Sequence, residues 1–142
     1  MIQKIIPVSL ISLLILVNCS SDRFPWSHYT LNESIKQSNN KLIMIDFYAD
    51  WCVPCKQLDK NTFSNSQVIK YCEDNFINLR INTDTPDGYE IYNEFNIENL
   101  PMILFIDSNK NIVGTIQGYY GPSEYLDKIK KINNEFLSSS NE

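Results

Sequence analysis

Several features that mark other classes of protein are scarce in this sequence. It has no run of basic residues, the only adjacent pair being Lys130 and Lys131, and its formal net charge is −5. Binding to the phosphates of a nucleic acid requires a basic patch. We therefore expect no nucleic-acid partner, and a solvated helix face explains the lysine pair.

Potential metal ligands are also few. The chain has a single histidine, His28, and four cysteines, Cys19, Cys52, Cys55 and Cys72. Zinc sites usually have four ligands, and these residues lack the paired spacing typical of such sites. We expect no metal, and we expect His28 to lie on the surface. A metal-binding module remains an alternative, one that metal analysis of the purified protein would test.

The longest apolar run is too short to span a bilayer. Residues 5–17 are apolar apart from Pro7 and two serines, whereas a spanning helix needs about 20 residues. Because Lys4 precedes this run, the segment is typical of a secretory signal. The run ends in LVNC, which resembles the lipobox of bacterial lipoproteins, and that resemblance implies lipidation of Cys19. A plain cleaved signal and an uncleaved hydrophobic anchor are the alternatives.

The chain is long enough for one compact domain. It has 142 residues, of which 43% are hydrophobic and 20% charged, as in ordinary globular proteins. We predict a lipoprotein-type signal peptide over residues 1–18, a tether over 19–29, one domain over 30–137 and a polar tail over 138–142. The expected location is the periplasmic side of a membrane, to which the lipid on Cys19 anchors the protein. An export signal also places the cysteines where disulfides persist.

The apolar pattern predicts alternating helices and strands. Strands are predicted at residues 42–48, 76–82, 102–106 and 112–117. Helices are predicted at about residues 31–38, 53–60, 86–95 and 122–136. A further helix is predicted to begin at a cap formed by Ser64 or Ser66 and to continue through Cys72. This order, with a closing hairpin, predicts an α/β fold: a central mixed sheet with helices on both faces.

A Cys-x-x-Cys follows the buried first strand directly and opens the next helix. A thiolate at a helix N-terminus is favoured by the helix dipole and by unpaired backbone N–H groups, which lower the cysteine pKa below about 8.5. The two-residue spacing brings the second sulfur within reach of the first. Cys52 and Cys55 therefore form a candidate redox pair that works through a mixed disulfide. We interpret Cys72 as a buried, inert thiol.

Residues 48–56 (YADWCVPCK), together with the later Asn61-Thr62-Phe63-Ser64 and Val68, resemble the thioredoxin superfamily. Within it, they are similar to the C-terminal periplasmic domains of the DsbD family of thiol–disulfide interchange proteins. The resemblance covers about residues 31–132. It implies a thioredoxin-like fold and a redox-active disulfide with no further cofactor.

The resemblance also implies roles for individual residues. Cys52 matches the exposed nucleophile, Cys55 the resolving cysteine and Asp46 the buried acid that exchanges a proton with the pair. A purely structural Asp46 is the alternative. The residues expected to contact substrate are Trp51, Val53, Pro54, Leu100, Pro101 of a cis-proline loop, and Gly118. Arg80 falls where thioredoxin has a lysine near the buried acid. The alternative is that Arg80 is a solvated charge on a strand, with no role at the site.

We therefore predict an extracytoplasmic disulfide reductase, a monomer whose partners are protein thiols and disulfides. The spacer Val53-Pro54 resembles that of reducing thioredoxins more than the Pro-His of the oxidant DsbA. In an oxidising compartment such a reductase needs electrons, so the resemblance implies a membrane donor of DsbD type. The alternative from another class is a non-catalytic binding lipoprotein on the same fold, which would show no turnover.

Overall fold

The computed structural model describes residues 23–140 as one four-stranded sheet flanked by helices. The strands are β1 (Leu42–Tyr48), β2 (Phe76–Asn82), β3 (Met102–Ile106) and β4 (Ile112–Gln117). The helices are α1 (Leu31–Gln37), α2 (Val53–Gln57), α3 (Ser66–Asn75), α4 (Pro86–Glu94) and α5 (Pro122–Ser139). A π-helical turn, Leu58–Thr62, continues α2.

The sheet has the strand order β2-β1-β3-β4. β1 and β2 are parallel, whereas β1–β3 and β3–β4 are antiparallel. The predicted mixed sheet with helices on both faces is thereby confirmed. No helix within residues 23–140 is long and apolar enough to cross a membrane.

β1 lies between two hydrophobic clusters, one on each face of the sheet, and is therefore buried on both faces. Leu42 and Met44 face one cluster, which includes Val68 of α3 and Ile129 of α5. The alternate residues face the other cluster, to which α1 and α4 contribute: Ile43, Ile45 and Phe47. Since side chains alternate along a strand, Asp46 lies on the same face as Met44 and Tyr48. A single carboxyl is therefore held in the core on the side of α3 and α5.

The structure differs from the sequence-based predictions at several ends of elements. The helix after Cys52 does not end as an α-helix near Lys60, because it passes into the π-helical turn at Leu58. The N-cap of α3 is Asn65, whose side chain accepts hydrogen bonds from two backbone N–H groups, so neither predicted serine caps it. α5 continues to Ser139, into the predicted polar tail.

The segment predicted to be a tether, residues 19–29, is in part folded onto the domain. Phe24 is buried in the core cluster of β1, and Trp26 forms an isolated parallel bridge with Asn78 of β2. Aromatic side chains at alternate positions bury apolar area against the sheet, which a polar tether does not do. Residues 1–22, including the predicted signal peptide and Cys19, lie outside the described part of the chain.

Candidate functional site

Cys52 and Cys55 form a disulfide at the start of α2, with their Cα atoms 5.3 Å apart. Cys52 is the N-cap residue of α2, in an extended conformation that ends the loop after β1. The backbone N–H of Cys55 donates a hydrogen bond to Cys52 Sγ at 3.2 Å. In the reduced protein the same donor favours a thiolate on Cys52 rather than on Cys55.

Both cysteines of the redox pair are buried by neighbouring residues in the oxidised protein. Cys52 and Cys55 are each 3% exposed, and they pack with Ala49, Tyr48 and Leu100. The expectation of an exposed nucleophile is therefore wrong for this oxidised state. The flanking side chains are instead the exposed ones, Trp51 at 69% and Val53 at 65%. Contact of these two residues with substrate stays a prediction.

Asp46 is a buried acid in the middle of β1, opposite Arg80 of β2. Its Oδ2 lies 3.2 Å from Arg80 Nε, and its Oδ1 has no hydrogen-bond partner among the described residues. Burial raises the pKa of Asp46 from 3.8 to about 7, against the opposing effect of the Arg80 charge, and Asp59 adds to the rise. This carboxyl can therefore take or release a proton near neutral pH.

Arg80 joins two acids instead of standing in solvent, so the solvated alternative is wrong. Its Nη2 lies 2.7 Å from Asp59 Oδ2, and its guanidinium carbon lies 4.1 Å from the centre of the Tyr48 ring. Asp59 is a site residue that was not predicted from the sequence. Its sequence position could have indicated it: Asp59 lies four residues after Cys55, a spacing that places the side chains of Cys55 and Asp59 on one face of a helix.

The loop before β3 and the end of β4 meet near the redox pair. The Leu100–Pro101 peptide is cis, as the resemblance implied, and Leu100 packs against the cysteine cluster. The N–H of Gly118 donates to the Pro101 carbonyl at 2.9 Å. Gly118 has φ +86°, a left-handed conformation that favours glycine. The structure thus brings together Leu100, Pro101 and Gly118, whose contact with substrate stays a prediction.

A cavity of about 270 Å³ is lined by Trp51, the neighbour of Cys52 in the chain, and by Leu100, which packs against the cysteines. Trp51 Nε1 donates to Asp84 Oδ1 at 3.0 Å, a contact that fixes the exposed indole. The remaining lining residues are Thr83, Tyr89, Tyr92 and Glu98. Sequence reasoning missed Asp84, which follows β2 in the chain and carries no local signal for this contact.

The other cysteine and the histidine lie away from this site. Cys72 is a fully buried free thiol on α3, and burial raises its pKa. His28 is exposed, as predicted. Within residues 23–140, no group of three or more His, Cys, Asp or Glu side chains is placed to hold a metal ion.

The sequence matches a protein family and individual relatives that agree with each other. Residues 32–133 match the family described as "Thioredoxin-like domain". The thiol:disulfide interchange protein DsbD of Haemophilus influenzae is 31% identical over 106 residues, which are 72% of this chain and 18% of that protein. The chain therefore spans less than a fifth of the length of this relative. The resemblance inferred from residues 48–56 is confirmed.

Solved structures show the same fold. The oxidised DsbD C-terminal domain of Neisseria meningitidis matches with a TM-score of 0.59 and 20% identity, covering 70% of this chain and 87% of that one. The DsbH oxidoreductase matches with a TM-score of 0.71 and 16% identity, covering 89% and 95%. At such identities the structural matches establish the fold alone.

Proposed function

The chain belongs to the thioredoxin-like domain family, and from that premise we propose that it is an extracytoplasmic thiol–disulfide oxidoreductase that reduces disulfides in other proteins. The observation that carries the proposal is the Cys52–Cys55 disulfide at the N-terminus of α2, with the Cys55 N–H directed at Cys52 Sγ. This arrangement favours the thiolate on the first cysteine and places the second within bonding distance. No cofactor beyond this disulfide is proposed.

The reaction begins with the dithiol form. The Cys52 thiolate attacks one sulfur of a partner disulfide, forming a mixed disulfide, and the other partner sulfur leaves as a thiolate. Cys55 then gives its proton to Asp46 and attacks Cys52 Sγ, which releases the second partner sulfur. The partner has gained two electrons, and Cys52 and Cys55 are again a disulfide. A membrane dithiol donor, of the DsbD type, would reduce the pair for the next cycle.

Asp46 suits the proton-transfer role because it is buried and titrates near neutral pH. A carboxyl with a pKa of about 7 is half protonated there, so it can accept the Cys55 proton and return it later. Its Oδ1, which has no hydrogen-bond partner among the described residues, is the oxygen available for that proton. Oδ2 remains beside Arg80.

The direction of transfer is proposed from the groups around Cys52. Val53 has no donor side chain, and Pro54 lacks both a donor side chain and a backbone N–H. Asp46, when ionised, and Asp50 oppose a negative charge on the sulfur. Because the Cys52 thiolate is then stabilised only by the helix end, we expect the reduction potential of the pair to be nearer the roughly −270 mV of thioredoxin than the roughly −120 mV of DsbA.

Equilibration with dithiothreitol or glutathione buffers measures that potential. A value above about −160 mV would place the protein among oxidants or isomerases and overturn the proposed direction. The difference of about 150 mV between the two reference proteins corresponds to roughly 7 kcal/mol, which is enough to decide the direction.

Partner trapping tests the proposed chemistry itself. Cys55→Ser keeps an attacking Cys52 but removes the resolving sulfur, so mixed disulfides with partner proteins should accumulate. Cys52→Ser is the matched control and should trap none and reduce no insulin. Trapping by Cys52→Ser alone would reverse the two roles. Wild-type protein without insulin-reducing activity would favour the non-catalytic binding alternative.

Export and anchoring are a separate part of the proposal. The apolar run of residues 5–17 and the LVNC sequence support a lipid on Cys19, which would hold the domain at the membrane near its electron donor. Expressed in a bacterial host, Cys19→Ser should convert a membrane-bound protein into a soluble or unprocessed one. Soluble wild-type protein beginning after Cys19 would contradict lipidation.

A further inference from the structure

The segment of residues 24–27 is fixed against β2 by backbone hydrogen bonds. Trp26 forms a parallel bridge with Asn78, and the Ser27 N–H donates to the Asn78 carbonyl at 2.7 Å. The Asn78 side chain is buried and donates to the Pro25 carbonyl at 3.4 Å. The backbone around Trp26 is therefore held at one register position on the sheet.

The indole of Trp26 is held by other rings. Its centre lies 4.2 Å from that of Phe24 and 5.2 Å from that of Phe63, and the rings of Phe24 and Phe63 are 4.6 Å apart. Phe24 is 6% exposed and Phe63 is 3% exposed. A ring packed in this way against buried aromatic side chains has little freedom to move.

The same indole contacts the arginine of the redox site. The guanidinium carbon of Arg80 lies 5.3 Å from the centre of the Trp26 ring, in addition to its contact with Tyr48. Arg80 in turn reaches Asp46 through Nε and Asp59 through Nη2. A continuous set of contacts therefore runs from residues 24–27 to the buried acid.

We propose that Trp26 is a positioning residue of the redox site: by holding the Arg80 guanidinium beside Asp46, it sets how readily that acid gives up its proton. The consequence for catalysis rests on the proposed function, in which Asp46 serves Cys55. The positioning itself does not depend on that function.

Charged and titratable groups on three elements act on Asp46. From β2 Arg80 favours its ionised form, whereas from the π-helical turn Asp59 opposes it, and Tyr125 of α5 is electrostatically coupled to it. Among the described residues only Arg80 thus favours the carboxylate. Arg80 is 24% exposed and has many rotamers. Without the indole its guanidinium keeps the Tyr48 ring and Asp59 as neighbours but gains freedom to move away from Asp46.

The titration of Asp46 in the oxidised protein tests this proposal directly. The carboxyl carbon is followed by ¹³C NMR across pH 4–9, with Asp46→Asn identifying the signal. The variants are Trp26→Leu, which retains an apolar side chain without a ring, Arg80→Gln and the double variant. Trp26→Met is prepared in parallel, so that the test does not depend on the folding of one substitution.

The matched control is Phe24→Leu. It removes a ring from the same aromatic cluster, and Phe24 makes no cation–π contact with Arg80 of the kind that Trp26 and Tyr48 make among the described residues. General loosening of this cluster should therefore affect Phe24→Leu and Trp26→Leu alike. Loss of Arg80 positioning should affect the Trp26 variants more strongly than Phe24→Leu, because Phe24 packs against the Trp26 ring and acts on Arg80 only through it.

We expect Trp26→Leu and Trp26→Met to raise the midpoint of the Asp46 titration by about half a pH unit, a roughly threefold change in the protonation equilibrium. Arg80→Gln should raise it further, and adding Trp26→Leu to Arg80→Gln should change nothing more. The pH profile of mixed-disulfide resolution should move with the midpoint. An unchanged midpoint, an equal shift in Phe24→Leu, or an equal shift with and without Arg80 would overturn the proposal.

Discussion

The buried carboxyl of Asp46 makes the stability of the protein depend on pH in a direction that can be worked out. The pKa of Asp46 is about 7 in the folded protein, mainly because of burial, against 3.8 ordinarily. Below about pH 4 the carboxyl is protonated in both the folded and the unfolded chain and contributes nothing. Between about pH 4 and 7 only the unfolded chain ionises, so the free energy of unfolding falls as pH rises. Above about pH 7 both states are ionised and the loss is complete.

The size of this loss follows from the pKa difference. The rise from 3.8 to about 7 is roughly three units, which corresponds to at most about 4 kcal/mol. Because Asp46 is 1% exposed, solvent does not screen the effect. Asp46→Asn keeps the shape of the side chain but cannot ionise. The difference in free energy of unfolding between variant and wild type should therefore move in favour of the variant by up to about 4 kcal/mol between pH 4 and pH 8.

Urea unfolding followed by tryptophan fluorescence measures this change. The oxidised proteins are compared without reductant, so that the Cys52–Cys55 disulfide is present in both states. Comparing two pH values cancels the constant cost of an amide beside Arg80. Asp50→Asn, which removes an exposed acid from the loop after β1, is the control. A variant-minus-wild-type difference that is equal at pH 4 and pH 8, or a control that shows the same change, would refute the reasoning.

Three further substitutions test local structure elsewhere in the domain. Cys72→Ala should lower the free energy of unfolding by about 1–2 kcal/mol through a small cavity, and insulin reduction should be unchanged; an activity loss as large as that of Cys52→Ser would place this thiol in the mechanism. Gly88→Ala should cost about 3 kcal/mol or more in urea unfolding, since its Cβ would overlap the Asn82 carbonyl oxygen. Asn65→Ala should cost about 1 kcal/mol because the N-cap of α3 is lost, and an unchanged midpoint would contradict that role.

The strands could be read from the sequence because burial leaves a local pattern. All four predicted strands have the bounds that the structure shows, since each is an apolar or alternating run that ends at turn residues. Helix ends were less accurate. The sequence predicts a serine N-cap for α3, whereas the structure has Asn65, a residue of similar capping strength that lies between the two serines.

The contacts that tune the site could not be read in this way. Cys52, Cys55 and Asp46 belong to one continuous segment with a recognisable spacing. Arg80 reaches Asp46 only because β1 and β2 pair in parallel in one register, which no local pattern specifies. Trp26 lies further still from Arg80 in sequence, in a short stretch whose polar neighbours suggested a tether.

The position of residues 24–27 has a second consequence, which concerns solubility. β2 is an edge strand, and a free edge offers backbone N–H and C=O groups on which another chain can add a strand. Residues 24–27 occupy part of this edge through the bridge at Asn78. They therefore act against edge-to-edge aggregation. A shortened chain beginning at α1 would lack residues 24–27 and would have an open β2 edge. The loss of this segment should appear first as aggregation at high protein concentration.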